Sequence, residues 1–377
     1  MSARQDRPLV ALDRILPGVP DVVRAVAAFG LDAPFAPRFP EAVPAEEDWP
    51  GIWTALDEQR LWGLASAAVT AGAFPVTDLQ GAEIVVRHEE AVGACLRLDR
   101  QAQSVAAALD AAGIDHRVLK GVAVACALYR PAGVRVYGDI DLLVRPVDFD
   151  AAVAVLMGLG GERHHREPHP GHVARFGKSA AFSLPGGWEV DLHRTFGLGP
   201  FGVVAAAHDL VGAGRPLAVG SSSLLMLEPE AMLVGAAFHA VLGADIRRLV
   251  PLRDVAELAR PGRVDPVAAV ALAGRWEVSA VLAAGVEAAT RELGLAGDGV
   301  LVGWAGDYRP SRREQRWLDD LHDQGPGGER RRTRDLLEAL PSVRERLAFL
   351  RSTIWYPGAP STADRLRRFS RGVLPGH

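Results

Sequence analysis

Two carboxylates stand one residue apart in the apolar stretch RVYGDIDLLV, residues 135–144. Side chains alternate along a strand, so Asp139 and Asp141 would share one face, with their alpha carbons about 6.5–7 Å apart, and could share a ligand. Like charges at the end of an apolar strand raise each other's pKa unless something positive lies between them, and a divalent metal is the usual solution. The plainer alternative is a Gly138–Asp139 turn, with Asp141 facing water. The stretch WEVDLHR, 188–194, alternates again and puts Glu189, Asp191 and His193 on one face, Val190 and Leu192 on the other. If this strand lies beside the first, Asp191 becomes a third carboxylate. Three carboxylates around a pair of Mg2+ ions suit in-line phosphoryl or nucleotidyl transfer, with the third as a base for an acceptor hydroxyl. His193 has no role that its position reveals beyond burial beside the sheet.

Such chemistry needs a phosphate cradle, and VLKGVAVACALY offers Lys120 and Gly121 where a strand turns into a helix. Nineteen positions separate Lys120 from Asp139, enough for one helix and a return to the adjacent strand. Of the 42 basic residues only two are Lys, at 120 and 178, so both positions are candidates for a compact ammonium; chance survival is the alternative. Lys178 would reach nucleotide phosphate from the start of a hairpin. Arg130 and Arg135 are further phosphate candidates or ordinary solvated arginines. GERHHREPHPGH carries His164, His165, His169 and His172, but no Cys accompanies them and the prolines spoil helical ligand spacing. A loop over the site is the better expectation there than zinc. Cys95 and Cys126 read as helix-packing residues.

The elements that must position these groups follow from periodicity. Residues 1–52 are rich in Pro and Ala and read as irregular; 53–95 are helical; 96–197 alternate between strand and helix; 198–377 read as mostly helical. Gly113 ends the helix before the first strand, Asp148 and Gly160 bracket another, and Pro185-Gly186-Gly187 marks a hairpin. No apolar run reaches the roughly 20 residues of a membrane helix, and nothing resembles a signal peptide. A cytoplasmic protein is expected. The net charge of -4 argues against a chain built to coat nucleic acid.

Taken together, LKG at 119–121, DIDLLV at 139–144 and DLH at 191–193 resemble a bacterial branch of nucleotidyltransferases within the DNA polymerase beta-like superfamily. The likeness covers about a hundred residues. It implies an α/β (α+β) fold, a small mixed-sheet core flanked by helical regions. It also implies metal binding by Asp139, Asp141 and Asp191, with Asp191 as base, and a nucleotide-phosphate turn at Lys120 and Gly121. The wider superfamily has Gly-Ser or Gly-Gly at that turn, so a hydroxyl grip is missing here. The resemblance further implies Mg2+ or Mn2+, an NTP co-substrate, and a small-molecule or peptide acceptor of the kind met in natural-product tailoring. Related transferases build the acceptor pocket from C-terminal helices, where His239, Arg247, Arg248 and Asp254 lie. Two other readings stay open: a non-catalytic nucleotide-binding or antitoxin-like module, and transfer onto RNA, supported only by ERRRTR and RLRRFSR.

Overall fold

Alternating and continuous apolar stretches sort this chain into a sheet with helices packed around it. The computed structural model describes residues 9, 18–31, 33–165, 167, 169–243, 248–295, 299–321, 323 and 327–354. Four helices come first: α1 (Asp21–Ala28), α2 (Trp49–Glu58), α3 (Trp62–Thr70) and α4 (Asp78–Ala111). The centre of the chain follows with β1 (His116–Val118), α5 (Val122–Leu128), β2 (Ile140–Val144), α6 (Phe149–Gly158), β3 (Glu162–Arg163), α7 (His172–Phe176), β4 (Ser179–Leu184) and β5 (Trp188–His193). Then come α8 (Gly199–Ala205), β6 (Arg215–Val219), β7 (Ser222–Met226), α9 (Pro229–Leu242), α10 (Leu249–Leu258), α11 (Pro266–Arg275), α12 (Ser279–Leu293), α13 (Val300–Asp307), α14 (Arg312–Leu321), α15 (Gly328–Ala339) and α16 (Val343–Ile354).

The described strands form one seven-stranded sheet in the order β3-β4-β5-β2-β1-β7-β6. It is mixed: β2 runs parallel to β5 and antiparallel to β1, and β1 runs parallel to β7. This is the α/β class expected. β2 is buried at every position, as befits a central strand covered on both faces. β4 buries Ala180, Phe182 and Leu184 in strict alternation, and the hairpin to β5 turns at Pro185, Gly186 and Gly187 as the sequence indicates. At the edges stand two-residue β3 and β6, whose second residue is Pro216.

α4 starts with a capping box between Thr77 and Gln80, which satisfies two orphan amides, and stops before Gly113 at φ +71°. It crosses the expected division between residues 95 and 96. β6 and β7 carry the sheet into the stretch read as helical, because their Leu and Ala lack the β-branched signature of strands. The helical region expected over 53–95 is interrupted: α2 and α3 meet at Gln59–Leu61, where Arg60 holds φ +54°. Asp148 sits at the first position outside α6, but its side chain makes no capping bond.

Most buried side chains join one core that runs through the sheet and both helical regions; Phe176, Leu336, Leu340 and Phe349 form a smaller cluster under α16. α9 and α12 cross at Gly285, where a Cβ would come 2.7 Å from the Cβ of Ala237 and 2.9 Å from its Cα. Helices approach that closely only across glycine. Gly285→Ala should therefore force α9 away from α12 and lower unfolding stability by about 1–3 kcal/mol, the usual cost of overpacking. Chemical denaturation of the two proteins checks this, and an unchanged midpoint would contradict the contact.

Candidate active site

Backbone pairing brings the acidic strands together. β2 and β5 pair in parallel with Asp141 opposite Asp191, so both carboxylates leave the same face of the sheet. His193, two residues on, shares that face, and its Nε2 lies 2.8 Å from Asp141 Oδ1 and 3.0 Å from Asp191 Oδ2. The Leu119 amide donates to the Asp141 carbonyl at 2.9 Å, extending the ladder beyond β1 and setting Lys120 over the same carboxylate. Lys120 Nζ stands 2.6 Å from Asp141 Oδ1, and Lys178 Nζ 3.8 Å from Asp191 Oδ2.

Gly121 follows at φ +51°, ψ -112°, a conformation open in practice to glycine alone, and a Cβ there would sit 3.4 Å from both the Tyr137 ring and the Asp139 carbonyl. The Lys-Gly pair is thus the turn that feeds α5. α5 has only seven residues, so the lysines, more than a helix dipole, supply positive charge to this end of the sheet.

These charges set one another's protonation. Burial alone would raise the Asp141 carboxyl, but Lys120 and His193 outweigh it and hold it well below the usual carboxylate range. Asp191 is likewise opposed by burial and held low by His193 and Lys178. Burial works against the Lys120 ammonium, yet Asp141 and Asp139 raise its pKa, whereas burial wins at Lys178 and lowers it. His193 is pushed down by burial and more strongly up by Asp191 and Asp141.

The other expected site residues are placed differently. Asp139 lies just before β2 and points to the mouth, its side chain 39% exposed against 2% for Asp141, with Arg60 Nη1 donating to its Oδ1 at 3.3 Å. Arg135 does not reach the cavity lining. Its Nε and Nη2 grip Asp254 at 3.0 and 2.9 Å, and Tyr129 adds a hydroxyl bond to the same carboxylate at 2.9 Å. Asp254 lies 119 positions away, so this buried pair was invisible to local pattern. Arg130 caps carbonyls at the end of α5. The histidines of 164–172 go separate ways: His164 to Ser183 and Glu189, His169 to Pro170 O, His172 to Ser352, with burial lowering the His172 pKa to about 4. Among the described residues they form no metal group.

Above the acidic cluster opens a cavity of about 410 Å3. Lys120, Asp139, Lys178, Asp191 and His193 line its sheet side; Met232, Ala236 and His239 of α9 and Arg248 and Pro251 at α10 line the other. Burial and the nearby Lys120 keep His239 neutral, its pKa well below the ordinary imidazole value. Of the C-terminal candidates His239, Arg248 and Asp254 do reach this cavity, while Arg247 lies outside the described residues. Arg60 and the apolar wall of α9 were not foreseen. Nothing in DEQRLWG signals the left-handed residue that turns Arg60 toward Asp139.

The donor set is chemically specific. Oxygen or nitrogen atoms of Asp141, Asp191 and His193 all lie within 4.8 Å of one another. Two carboxylates that already gather an ammonium and an imidazole at their oxygens suit a hard divalent cation. His193 is a poorer ligand, because its buried Nδ1 has no hydrogen-bond partner to fix the ring as metal-binding histidines require. It serves better as the strut that holds the two carboxylates side by side.

Breaking the Arg135–Asp254 pair should be a matter of stability. Arg135→Gln, which strands the Asp254 carboxylate in the cavity wall, is expected to cost about 3–5 kcal/mol in chemical denaturation. A variant of native stability would return Arg135 to the list of ligand contacts.

A family model described as uncharacterised nucleotidyltransferase matches residues 45–294, which hold both acidic strands, both lysines and the α9–α10 wall. No curated protein matches. A solved structure of an antigenic nucleotidyltransferase-like protein from Paracoccidioides brasiliensis is 16% identical, covering 54% of this chain and 96% of its own, with a TM-score of 0.29. By its match across residues 45–294, this chain belongs to the uncharacterised nucleotidyltransferase family.

Proposed function

We propose that the cavity carries out Mg2+- or Mn2+-dependent transfer of a nucleoside monophosphate from an NTP to a hydroxyl or phosphate of a small molecule or peptide. The observation that carries this reading is the in-register pair Asp141 and Asp191 beneath Lys120, inside the segment matched to the nucleotidyltransferase family. Asp141 and Asp191 would hold the cation, with Asp139 joining them on release from Arg60. When bound, such an ion neutralises phosphate charge and acidifies an acceptor hydroxyl.

The chain's own groups divide the remaining work. Lys120 offers its ammonium to the nucleotide phosphates from the turn at Gly121, and Lys178 does so from the start of β4. His193 keeps the two carboxylates parallel. Asp191 is the proton acceptor, since its side chain is 23% exposed to the cavity while Asp141 is sealed at 2%. The acceptor oxygen bonds to the α-phosphorus, the bond from that phosphorus to pyrophosphate breaks, and the acceptor proton passes to Asp191. The apolar wall from Met232 to Ala240 favours an acceptor with a hydrocarbon or aromatic body, as a natural-product tailoring reaction would present.

Calorimetry with each of the four NTPs, with and without Mg2+, tests the reading on the wild type and on Asp141→Asn. Binding is expected only with Mg2+, and the variant should lose it. If no NTP bound under either condition, the transferase reading would fall.

A further inference from the structure

The cations around the cavity do not all have partners. Asp141 is taken by Lys120 and His193, Asp191 by His193 and Lys178, Asp254 by Arg135 and Tyr129, and Asp139 by Arg60. Arg248 lines the same cavity, immediately before α10, and no carboxylate among the described residues pairs with it. Its Nε is buried without any hydrogen-bond partner. This half-buried guanidinium gives up hydration for only the longer-range attraction of Asp139 and Glu58, and an anion bonded to it directly would offset that loss.

Arg60 stands behind the lining residue Asp139, to which it donates at 3.3 Å. Its φ of +54° is uncommon for a residue with a side chain, and strain of this kind, of order 1–3 kcal/mol, persists where surrounding structure fixes it for use. What fixes it is visible: the neighbouring Gln59 side chain accepts the Leu249 amide at 2.6 Å, tying the α2–α3 junction to the first residue of α10, next to Arg248. Arg60 bonds to Asp139, which lines the same cavity as Arg248, and burial together with Arg60 lowers the Arg248 pKa against the pull of Asp139 and Glu58.

We infer that Arg60 and Arg248 form a second anion subsite at the α10 side of the cavity, built for the polyphosphate tail of the nucleotide. The inference rests on the nucleotidyl-transfer reading and adds to it a place for the phosphates that leave. Planar guanidinium groups grip phosphate oxygens in pairs, which the compact ammonium of Lys120 cannot do. An incoming tail would draw Arg60 from Asp139 and quench the repulsion between the two arginines.

Calorimetry in Mg2+ with the four NTPs, the matching NMPs and inorganic pyrophosphate tests this on wild type, Arg248→Gln and Arg60→Gly. The glycine variant suits the left-handed backbone and keeps the test open if Arg248→Gln fails to fold. Each variant should lose roughly ten- to hundredfold in affinity for NTP and pyrophosphate, the worth of a charge-assisted hydrogen bond, and keep its NMP affinity. Unchanged NTP affinity, or an equal loss for NMP, would overturn the subsite and leave the transfer reading intact. Wild type that binds pyrophosphate but no NTP would sink the transfer reading and keep the subsite; binding of neither would end both.

Discussion

The site depends on one electrostatic constraint: two carboxylates paired side by side on adjacent strands, largely out of water, cannot remain ionised unless cations meet them. The parallel register of β2 and β5 imposes the pairing. Lys120, His193 and Lys178 answer it, each from a different piece of backbone. Gly121 is needed because Lys120 must stand over Asp141 while the chain turns at once into α5, and Leu119 must stay on the ladder to hold the turn in place. The two lysines in an arginine-rich chain sit on either side of this pair.

The rest of the molecule supplies the second half of the cavity from afar. α9 is pinned against α12 at Gly285, so the apolar wall stands at a fixed height above the sheet. α10 is tied to the N-terminal helices by Arg253, which donates to the carbonyls of Ala27 and Phe29, and by Gln59. The Arg135–Asp254 pair joins the same helix to the loop before β2. The cavity is therefore walled by the sheet and the C-terminal helices, while the N-terminal helices brace α10 from behind.

What the sequence made legible was what repeats locally. The two-residue period of WEVDLHR, the hairpin glycines and the apolar DIDLLV stretch reported the strands, and their alternation reported which residues share a face. Long-range commitments left no local trace. Arg135 looks free beside DIDLLV until Asp254 is folded onto it, and His193 gains a purpose only when Asp141 comes within reach. Arg60 was hidden for a different reason: its left-handed backbone is enforced by tertiary contacts rather than by a glycine. β6 and β7 escaped because Leu and Ala serve helix and strand alike.

The two ends of the sheet have a consequence for the chain's behaviour in company. An open strand edge is a template for another chain, and proteins that expose long apolar edges tend to polymerise. Here one edge is two residues long and made of Glu162 and Arg163, and the other carries Arg215 and Pro216, the latter with no amide to offer. Charge and a missing donor blunt both rims, so strand-to-strand recruitment is discouraged at either side. Self-association, where it occurs, is thereby steered toward helical surfaces.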